Sequence, residues 1–454
     1  MSVIEDLKQA LGDAVLIGTQ IGERYRSDAS LTGRCLPKAV IRPANTEEVA
    51  TALRICNAHR QTIVVQGGLT GLAGGANPDE DAVSLSLERL TGIEELDPLA
   101  ATMTVLAGTP LEVAQRAADD AGFLLPIDLG ARGSCQIGGN LATNAGGIRV
   151  IRHGITRDNV LGLEAVLADG TILSSLSKMI KNNTGYDLRQ YFIGSEGTLG
   201  VITRAVLRLK PRPSGRLTAL CALDRYDQVV ALLARAQRGL PGLSAFEAMW
   251  EDYFRFNCEA EGQCFFETFP AFAVILEQDV QGDDNEGEDF ENFLGAALED
   301  DVIANALIAQ SEKESRLFWQ VREGHAMDRL LPELINLDVS LPIGEIGRFA
   351  AECGPALAAR FPQAHISFFG HVADSNLHIA FSTPASDENT QHAVDGIVYD
   401  IVGRYRGSIS AEHGIGTLKR EFLGHSRSAA ELEVMRRIKH ALDPKGILNP
   451  GKVL

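Results

Sequence analysis

Through the first half of this chain, short apolar and β-branched runs alternate with longer stretches whose apolar residues recur at helical spacing. "TIVVQGG" and "AVSLSL" read as strands. "TEEVATALRICNAHR" has the period of a helix and reads as capped by its threonine, Thr46. "NVLGLEAVLADGTIL" is a long apolar run broken by an Asp-Gly pair, which predicts a hairpin. The alternating strand "GVITRAVLRL" runs into the proline-rich "KPRPSG", Lys210 to Gly215, a predicted domain boundary. Beyond it glycines thin out and helical patterns lengthen. An acidic stretch from Gln278 to Asp301 reads as a solvated loop and helix face. Farther on, "HISFFGH" and "LHIAFS" read as two strands joined by the turn "VADSN".

Length and composition narrow the class. A chain of 454 residues exceeds one ordinary core, so two or three domains are expected. Apolar content of 45% and charged content of 22% are those of a globular protein. The net charge of −18 counts against nucleic acid or an anionic membrane as the main partner. The opening "MSVIEDLKQALGDAVLIGTQIG" predicts an amphipathic helix and not a signal peptide. No window reaches the length of apolar chain that a spanning helix needs. Seven cysteines (35, 56, 135, 221, 258, 264 and 353) are scattered, with no C-x-x-C pair, so an iron–sulfur module or zinc ribbon is not expected. A reducing cytoplasm fits that usage best. There is no internal repeat and no low-complexity segment.

Candidate chemistry begins with glycine. "VVQGGLTGLAGGANP", Val64 to Pro78, is a strand entering a loop with five glycines. Successive bare N–H groups in such a loop form an anion-binding concavity suited to a pyrophosphate. A tight structural turn is the alternative. The loop is neither G-x-G-x-x-G nor a P-loop, which disfavours a nicotinamide dehydrogenase or a nucleotide triphosphatase. Two further glycine-rich segments, Pro126 to Gly154 and Gly194 to Thr203, would line a long groove with it for a large, planar, phosphate-bearing cofactor.

Polar candidates follow. A hairpin through "GHVADSNLH" would bring His371 and His378 to one end of adjacent strands, a half-site for a transition metal. Structural histidines remain the other reading. In "GSISAEHGIGTLKR", Glu412 and His413 leave a β-like run pointing in different directions. One can complete a His-His-carboxylate site while the other faces a substrate, or the two can be a surface pair. In "LFWQVREGHA", Arg322 can bind a carboxylate in bidentate fashion, or lie on the surface of its helix.

Taken together, "QGGLTGLAGGA", "GGNLATNAGG", "IGSEGTLGVIT" and the terminal "LDPKGILNPGK" resemble the FAD-linked oxidase family of the vanillyl-alcohol oxidase (PCMH-type) superfamily. The nearest likeness is to its D-2-hydroxyacid dehydrogenase group, which includes D-lactate, D-2-hydroxyglutarate and glycolate dehydrogenases. The resemblance runs over nearly the whole chain. It implies an α+β fold: a PCMH-type two-subdomain FAD module over 1–212 and an antiparallel-sheet substrate domain over 213–420. A C-terminal segment, 421–454, would pack back on the FAD module and return to the flavin.

By the same likeness, Gly67, Gly68, Leu69, Thr70 and Gly71, with Gly74 and Gly75, would cradle the pyrophosphate. Gly139, Thr143, Ala145 and Gly146 would line the isoalloxazine and ribityl region. Glu196, Gly197 and Ile202 would lie near the adenine half, and Asn449 near the ring. Covalent members often carry a histidine where this chain has Leu69, so FAD is expected to be non-covalent. "GHVADSNLH" resembles the family's GHxGDGNxH metal motif, with Ala373 and Ser375 in place of two glycines. His371, His378 and Glu412 then match metal ligands for zinc or manganese, His413 the catalytic base and Arg322 the substrate arginine.

The implied reaction is oxidation of a D-2-hydroxy acid to the 2-oxo acid, with hydride to flavin. Electrons would leave for an electron-transfer flavoprotein, a quinone or a cytochrome, and a homodimer is compatible with this. Dehydrogenases of 2-hydroxyglutarate carry a lysine before "D-x-S-L-P" and an asparagine two residues after the second metal histidine. Here Asn336 and Ala380 stand there, which turns the expectation towards a neutral side chain, as in D-lactate or a longer homologue. The rival readings are an oxygen-using oxidase, a D-2-hydroxyglutarate dehydrogenase, a non-catalytic flavoprotein subunit of an electron-transfer complex, and a cell-wall reductase acting on a UDP-sugar.

Overall fold

The computed structural model describes residues 2–33, 35–283, 285–384 and 387–454. Its chain divides into two compact units, one of Met1–Gly147, Gly154–Arg212 and Glu412–Leu454, the other of Ile148–His153 and Pro213–Ala411. Mixed helix and sheet in both makes the fold α+β, as expected.

The first unit holds a four-stranded and a five-stranded sheet. In the smaller one, Ala39–Ile41 and Ile63–Gln66 both run parallel to Val83–Ser86. The helix Thr46–His59 makes the crossover between the first two. Its cap is Asn45 and not Thr46: the Asn45 Oδ1 accepts the Glu48 N–H at 2.9 Å. Thr46 is instead buried in the first turn, where its hydroxyl donates to the buried Glu164 at 2.7 Å. The larger sheet is antiparallel and runs Ile93–Asp97, Thr102–Leu106, Val201–Arg208, Val160–Val166, Ile172–Ser175. Its last two strands are the hairpin that the Asp-Gly pair predicted; Gly170 takes φ +84°, and Asp169 accepts the Thr171 N–H. The opening helix Val3–Leu11 is amphipathic, closed by a capping box between Ser2 and Glu5.

The terminal "LDPKGILNPGK" is bound into this unit by a buried carboxylate. Asp443 accepts the N–H groups of Ile447 and Leu448 at 3.0 and 2.8 Å, and the Lys439 ammonium at 2.5 Å. Lys439 also donates to the carbonyls of Thr198 and Leu448. The turn so formed lays Leu448 against Ile63 as a parallel bridge, with the Asn449 N–H on the Ile63 carbonyl at 2.8 Å. A short tail thereby becomes an added edge to the small sheet.

The second unit is built on a seven-stranded sheet in which every pairing is antiparallel. Its order is Asn305–Ile308, Gly215–Leu223, Phe272–Val280, Leu243–Trp250, His365–Gly370, Asn376–Ser382, Ile335–Ser340. "HISFFGH" and "LHIAFS" are adjacent strands, joined through a 3-10 turn over Val372–Asp374. Ser375, where the family motif has glycine, closes that turn at φ +75°. A left-handed non-glycine residue costs about 1 kcal/mol.

Within the acidic stretch, Asp284 lies outside the described residues. The helix Glu286–Glu299 turns Phe290, Leu294 and Ala297 inward, which leaves the solvated face predicted for its acids. Asp279 departs from that expectation. It is 3% exposed and ion-paired with Arg152 and Arg216, because it ends a central strand and not a loop.

All seven cysteines are unbonded, and burial pushes the thiols of Cys56, Cys221, Cys258 and Cys353 up to about 12. Among the described residues no helix is long and apolar enough to cross a membrane.

Replacing Asp443 by alanine orphans two buried N–H groups and leaves the Lys439 ammonium only its two carbonyl acceptors, each lost bond to the carboxylate being worth about 1.5–3 kcal/mol. Thermal denaturation of Asp443→Ala is expected to show a fall in Tm of several degrees, with Asp443→Asn intermediate. An unchanged Tm would show that the tail is not held this way.

Candidate active site

The glycine loop earns its composition from close approach. The Ile63–Gln66 strand leads into it, and a Cβ at Gly68 would fall 2.0 Å from the Ser134 carbonyl oxygen. The neighbouring Leu69 takes φ +60°. The Gln66 amide donates to the Ala76 carbonyl at 2.9 Å, and Asp28 exchanges hydrogen bonds with Asn77 and Ala76, so the loop's two ends are tied together. The loop then lines a cavity of about 340 Å³ with Gly67, Gly68, Gly71 and Gly75 among its residues.

Every residue expected at the flavin lines this cavity except Gly74. Gly74 has φ +73°, and a Cβ there would sit 2.4 Å from the Thr417 hydroxyl, so its glycine serves packing against the returning chain. The second wall is the helix Ile137–Thr143 with the residues on either side of it. Sequence reasoning missed Gln136 and Asn140 there. The Gln136 Oε1 is buried without a hydrogen-bond partner beside the cavity, an acceptor that a bound cofactor's N–H would satisfy.

Glu196 and Asn449 have a structural task in this wall. The Glu196 carboxylate accepts the N–H groups of Ile415 and Gly416 at 2.7 and 2.8 Å. Its burial raises its pKa more than those two bonds and nearby lysines lower it. Glu196 thus anchors the "GIG" turn that follows His413. Asn449 accepts the Val65 N–H at 2.9 Å and donates to the Glu196 carbonyl at 2.6 Å, joining glycine loop, third glycine segment and tail. Glu412 and His413 emerge from the anchored turn onto the same cavity. The Gly147 N–H donates to the Glu412 Oε1 at 2.7 Å.

The second unit assembles the remaining candidates on one sheet face. His371 is buried and His378 half-buried at the end of their hairpin, rings 5.2 Å apart and nearly perpendicular. Arg322 lies in the last turn of the helix Glu312–Glu323, yet is only 7% exposed. Three contacts fix it. The Tyr253 hydroxyl donates to its carbonyl at 2.9 Å, its guanidinium lies 4.7 Å from the Phe369 ring centroid, and its Nε and Nη2 meet Glu247 Oε2 at 2.7 and 2.5 Å. One turn earlier Trp319 donates to Glu277 at 3.1 Å, so the helix is stitched to the sheet at two points.

Glu247 was not anticipated. It stands in the strand Leu243–Trp250 with no exposed surface, and its Oε1 meets the His371 Nδ1 at 2.6 Å. Burial alone would raise its carboxyl; Arg322 and His371 more than offset that and hold it below the usual range. The available signal was an acid inside the otherwise apolar "LSAFEAMW", which a strand in a core does not carry without a reason. Asn336 and Ala380 are direct cross-strand partners, two residues along from the Asp338–His378 pair on the same face. Asn336 is exposed, whereas Ala380 is buried in an apolar cluster with Met249, Met327 and Phe369.

Residues 37–175 match the FAD binding domain model, and residues 212–453 the C-terminal domain of FAD linked oxidases. The mitochondrial D-2-hydroxyglutarate dehydrogenase of Bos taurus is 38% identical over 93% of this chain and 78% of its own length. A D-2-hydroxyglutarate dehydrogenase of Xanthomonas citri is 38% identical over 95% of this chain and 92% of its own. A putative mitochondrial D-lactate dehydrogenase of Schizosaccharomyces pombe is 35% identical over 99% and 87%. Among solved structures, p-cresol methylhydroxylase with substrate bound superposes with a TM-score of 0.80 at 15% identity, over 99% of this chain and 96% of that one. Alkyldihydroxyacetonephosphate synthase gives 0.74 at 17% identity, over 99% and 84%. These two establish the fold alone. The chain belongs to the family of FAD-linked oxidases with the p-cresol methylhydroxylase fold, among whose members similar to it are D-2-hydroxyglutarate dehydrogenases and a putative D-lactate dehydrogenase.

Proposed function

We propose that this FAD-binding oxidoreductase converts a D-2-hydroxy acid to the 2-oxo acid with the help of a divalent cation, and passes the electrons to an external acceptor. The observation that carries the reading is the shared anchor of two unlike groups. A helical arginine and a hairpin histidine, neither of which needs burial for the fold, are both buried on one carboxylate.

Arg322 would take the substrate carboxylate. Glu247 occupies the Nε–Nη2 edge, so the carboxylate would meet the Nη1–Nη2 edge, with Phe369 beneath the guanidinium. His413, which lines the cofactor cavity, would accept the hydroxyl proton as general base. FAD, when bound, supplies the acceptor for the hydride from the carbinol carbon. His371 and His378 offer two imidazoles to a cation. Glu412 would add a carboxylate, following Ala411, whose N–H is held at 2.7 Å by Asp338, the cross-strand neighbour of His378. Such a nitrogen and oxygen donor set suits zinc or manganese, and the bound ion would supply Lewis-acid polarisation of the hydroxyl.

Ala380 in its apolar cluster, with Asn336 beside it, supports a substrate whose side chain is neutral, such as D-lactate or a longer homologue. The D-2-hydroxyglutarate dehydrogenases among the relatives favour a second reading, a substrate with a distal carboxylate. A ratio decides between them. The kcat/KM for D-lactate or D-2-hydroxybutyrate is expected to exceed that for D-2-hydroxyglutarate. The double variant Asn336→Lys, Ala380→Asn should move the ratio towards D-2-hydroxyglutarate by about tenfold or more, or about 1.4 kcal/mol. A wild-type preference for D-2-hydroxyglutarate would select the second reading.

Anaerobic mixing with D- and L-2-hydroxy acids tests the reaction itself. D-isomers should bleach the flavin and L-isomers should not, a chelator should slow the bleaching, and His413→Ala should slow it by about 10²–10⁴-fold. Equal rates with and without His413 would remove it from the mechanism. Reoxidation of the reduced flavin in air-saturated buffer should be slow, since rapid reoxidation is the mark of an oxygen-using oxidase.

With Leu69 in place of the histidine that links flavin in covalent relatives, the cofactor is expected to leave with denaturation. Acid-precipitated protein should be colourless, with all the flavin in the supernatant. Yellow precipitate would mean a covalent bond elsewhere.

A further inference from the structure

Resting on the metal and arginine roles proposed above, we infer that Glu247 is the positioning residue of this site. One of its carboxylate oxygens sets the tautomer of His371, and the other sets the edge that Arg322 presents. The geometry is specific. Oε1 lies 2.6 Å from the His371 Nδ1, while Oε2 receives the Arg322 Nε at 2.7 Å and Nη2 at 2.5 Å. The carboxylate stands mid-strand, between the buried Phe246 and Ala248. Stability gives no cause to keep it there, because buried ion pairs rarely improve on well-packed apolar residues of similar volume.

What a carboxylate does here, and an amide cannot, is accept through both of its outer atoms, one facing each partner. Facing Oε1, Nδ1 of His371 carries its proton, which leaves Nε2 as the bare nitrogen a cation needs. A glutamine at 247 has one oxygen and one NH₂. Arg322 cannot give up a proton and so claims the oxygen. The NH₂ then faces the His371 Nδ1, forces that atom to be the acceptor, and moves the ring proton to Nε2. Glu247→Gln is therefore expected to disable His371 as a ligand while leaving Arg322 in place. A merely structural carboxylate would not produce that split.

Isothermal titration of metal-depleted, FAD-loaded protein with zinc or manganese chloride reads the effect directly. Glu247→Gln should bind about 10–100-fold more weakly than wild type, the range for second-shell partners of ligating histidines. Its KM for the D-2-hydroxy acid at saturating metal should change far less than its metal affinity. Wild-type affinity in Glu247→Gln, alongside lost affinity in His378→Ala, would overturn the assignment. If His378→Ala binds metal as wild type does, the metal reading itself falls and takes this assignment with it. A readout independent of any variant at 247 is the ¹⁵N imidazole spectrum of the metal-free protein, with His371 assigned by its loss in His371→Ala. The Nδ1-protonated tautomer is expected, and an Nε2-protonated ring would overturn the proposal even if Glu247→Gln fails to fold.

Discussion

A carboxylate withdrawn from water must be given donors, and in this protein the donors come from distant parts of the chain. Glu164 takes Thr46 and Thr203, and so ties the crossover helix to the larger sheet. Asp443 takes the N–H groups of its own turn and Lys439, converting a tail into a sheet edge. Glu196 takes the backbone after His413. In the second unit Glu277 takes Arg149, Thr218 and Trp319, and Glu247 takes Arg322 and His371. Apolar contacts make each core, but they are non-directional. These carboxylates choose which residue of a helix or turn meets which residue of a strand.

The first unit faces the opposite demand, since a cofactor groove must be kept clear of side chains. Gly68 lets the loop approach the Ser134 carbonyl, and Gly146 leaves room for the Glu412 side chain, whose Oε1 would lie 2.5 Å from an added Cβ. The walls are then fastened from behind by Asn449 and Glu196, which spend their polar groups on backbone. A groove of bare peptide groups can suit a pyrophosphate only if it cannot collapse, and this fastening supplies that rigidity.

Much of this is legible in the sequence. The hairpin at Asp169-Gly170, the antiparallel strands around "VADSN" and the glycine segments converging on one cavity all follow from local chemistry: turn residues, alternation and missing side chains. Thr46 shows where local reasoning stops. Its residue type suits a cap, but Asn45 caps the helix and the Thr46 hydroxyl goes to a carboxylate more than a hundred residues away. Asp279 shows the same in reverse, since its acidic neighbours suggested solvent, whereas its strand lies at the heart of a sheet with arginines on both sides.

The sequence by itself determined the elements and the family and singled out candidates for the chemistry, because periodicity, turn residues and motif spacing are properties of adjacent residues. Tertiary structure alone decided what those groups face. Arg322 is an ordinary helical arginine until Glu247, 75 residues earlier, buries it, and His371 can carry its proton on either ring nitrogen until the same carboxylate faces one of them. Pairing across such separations depends on strand order and helix docking, which no local pattern encodes.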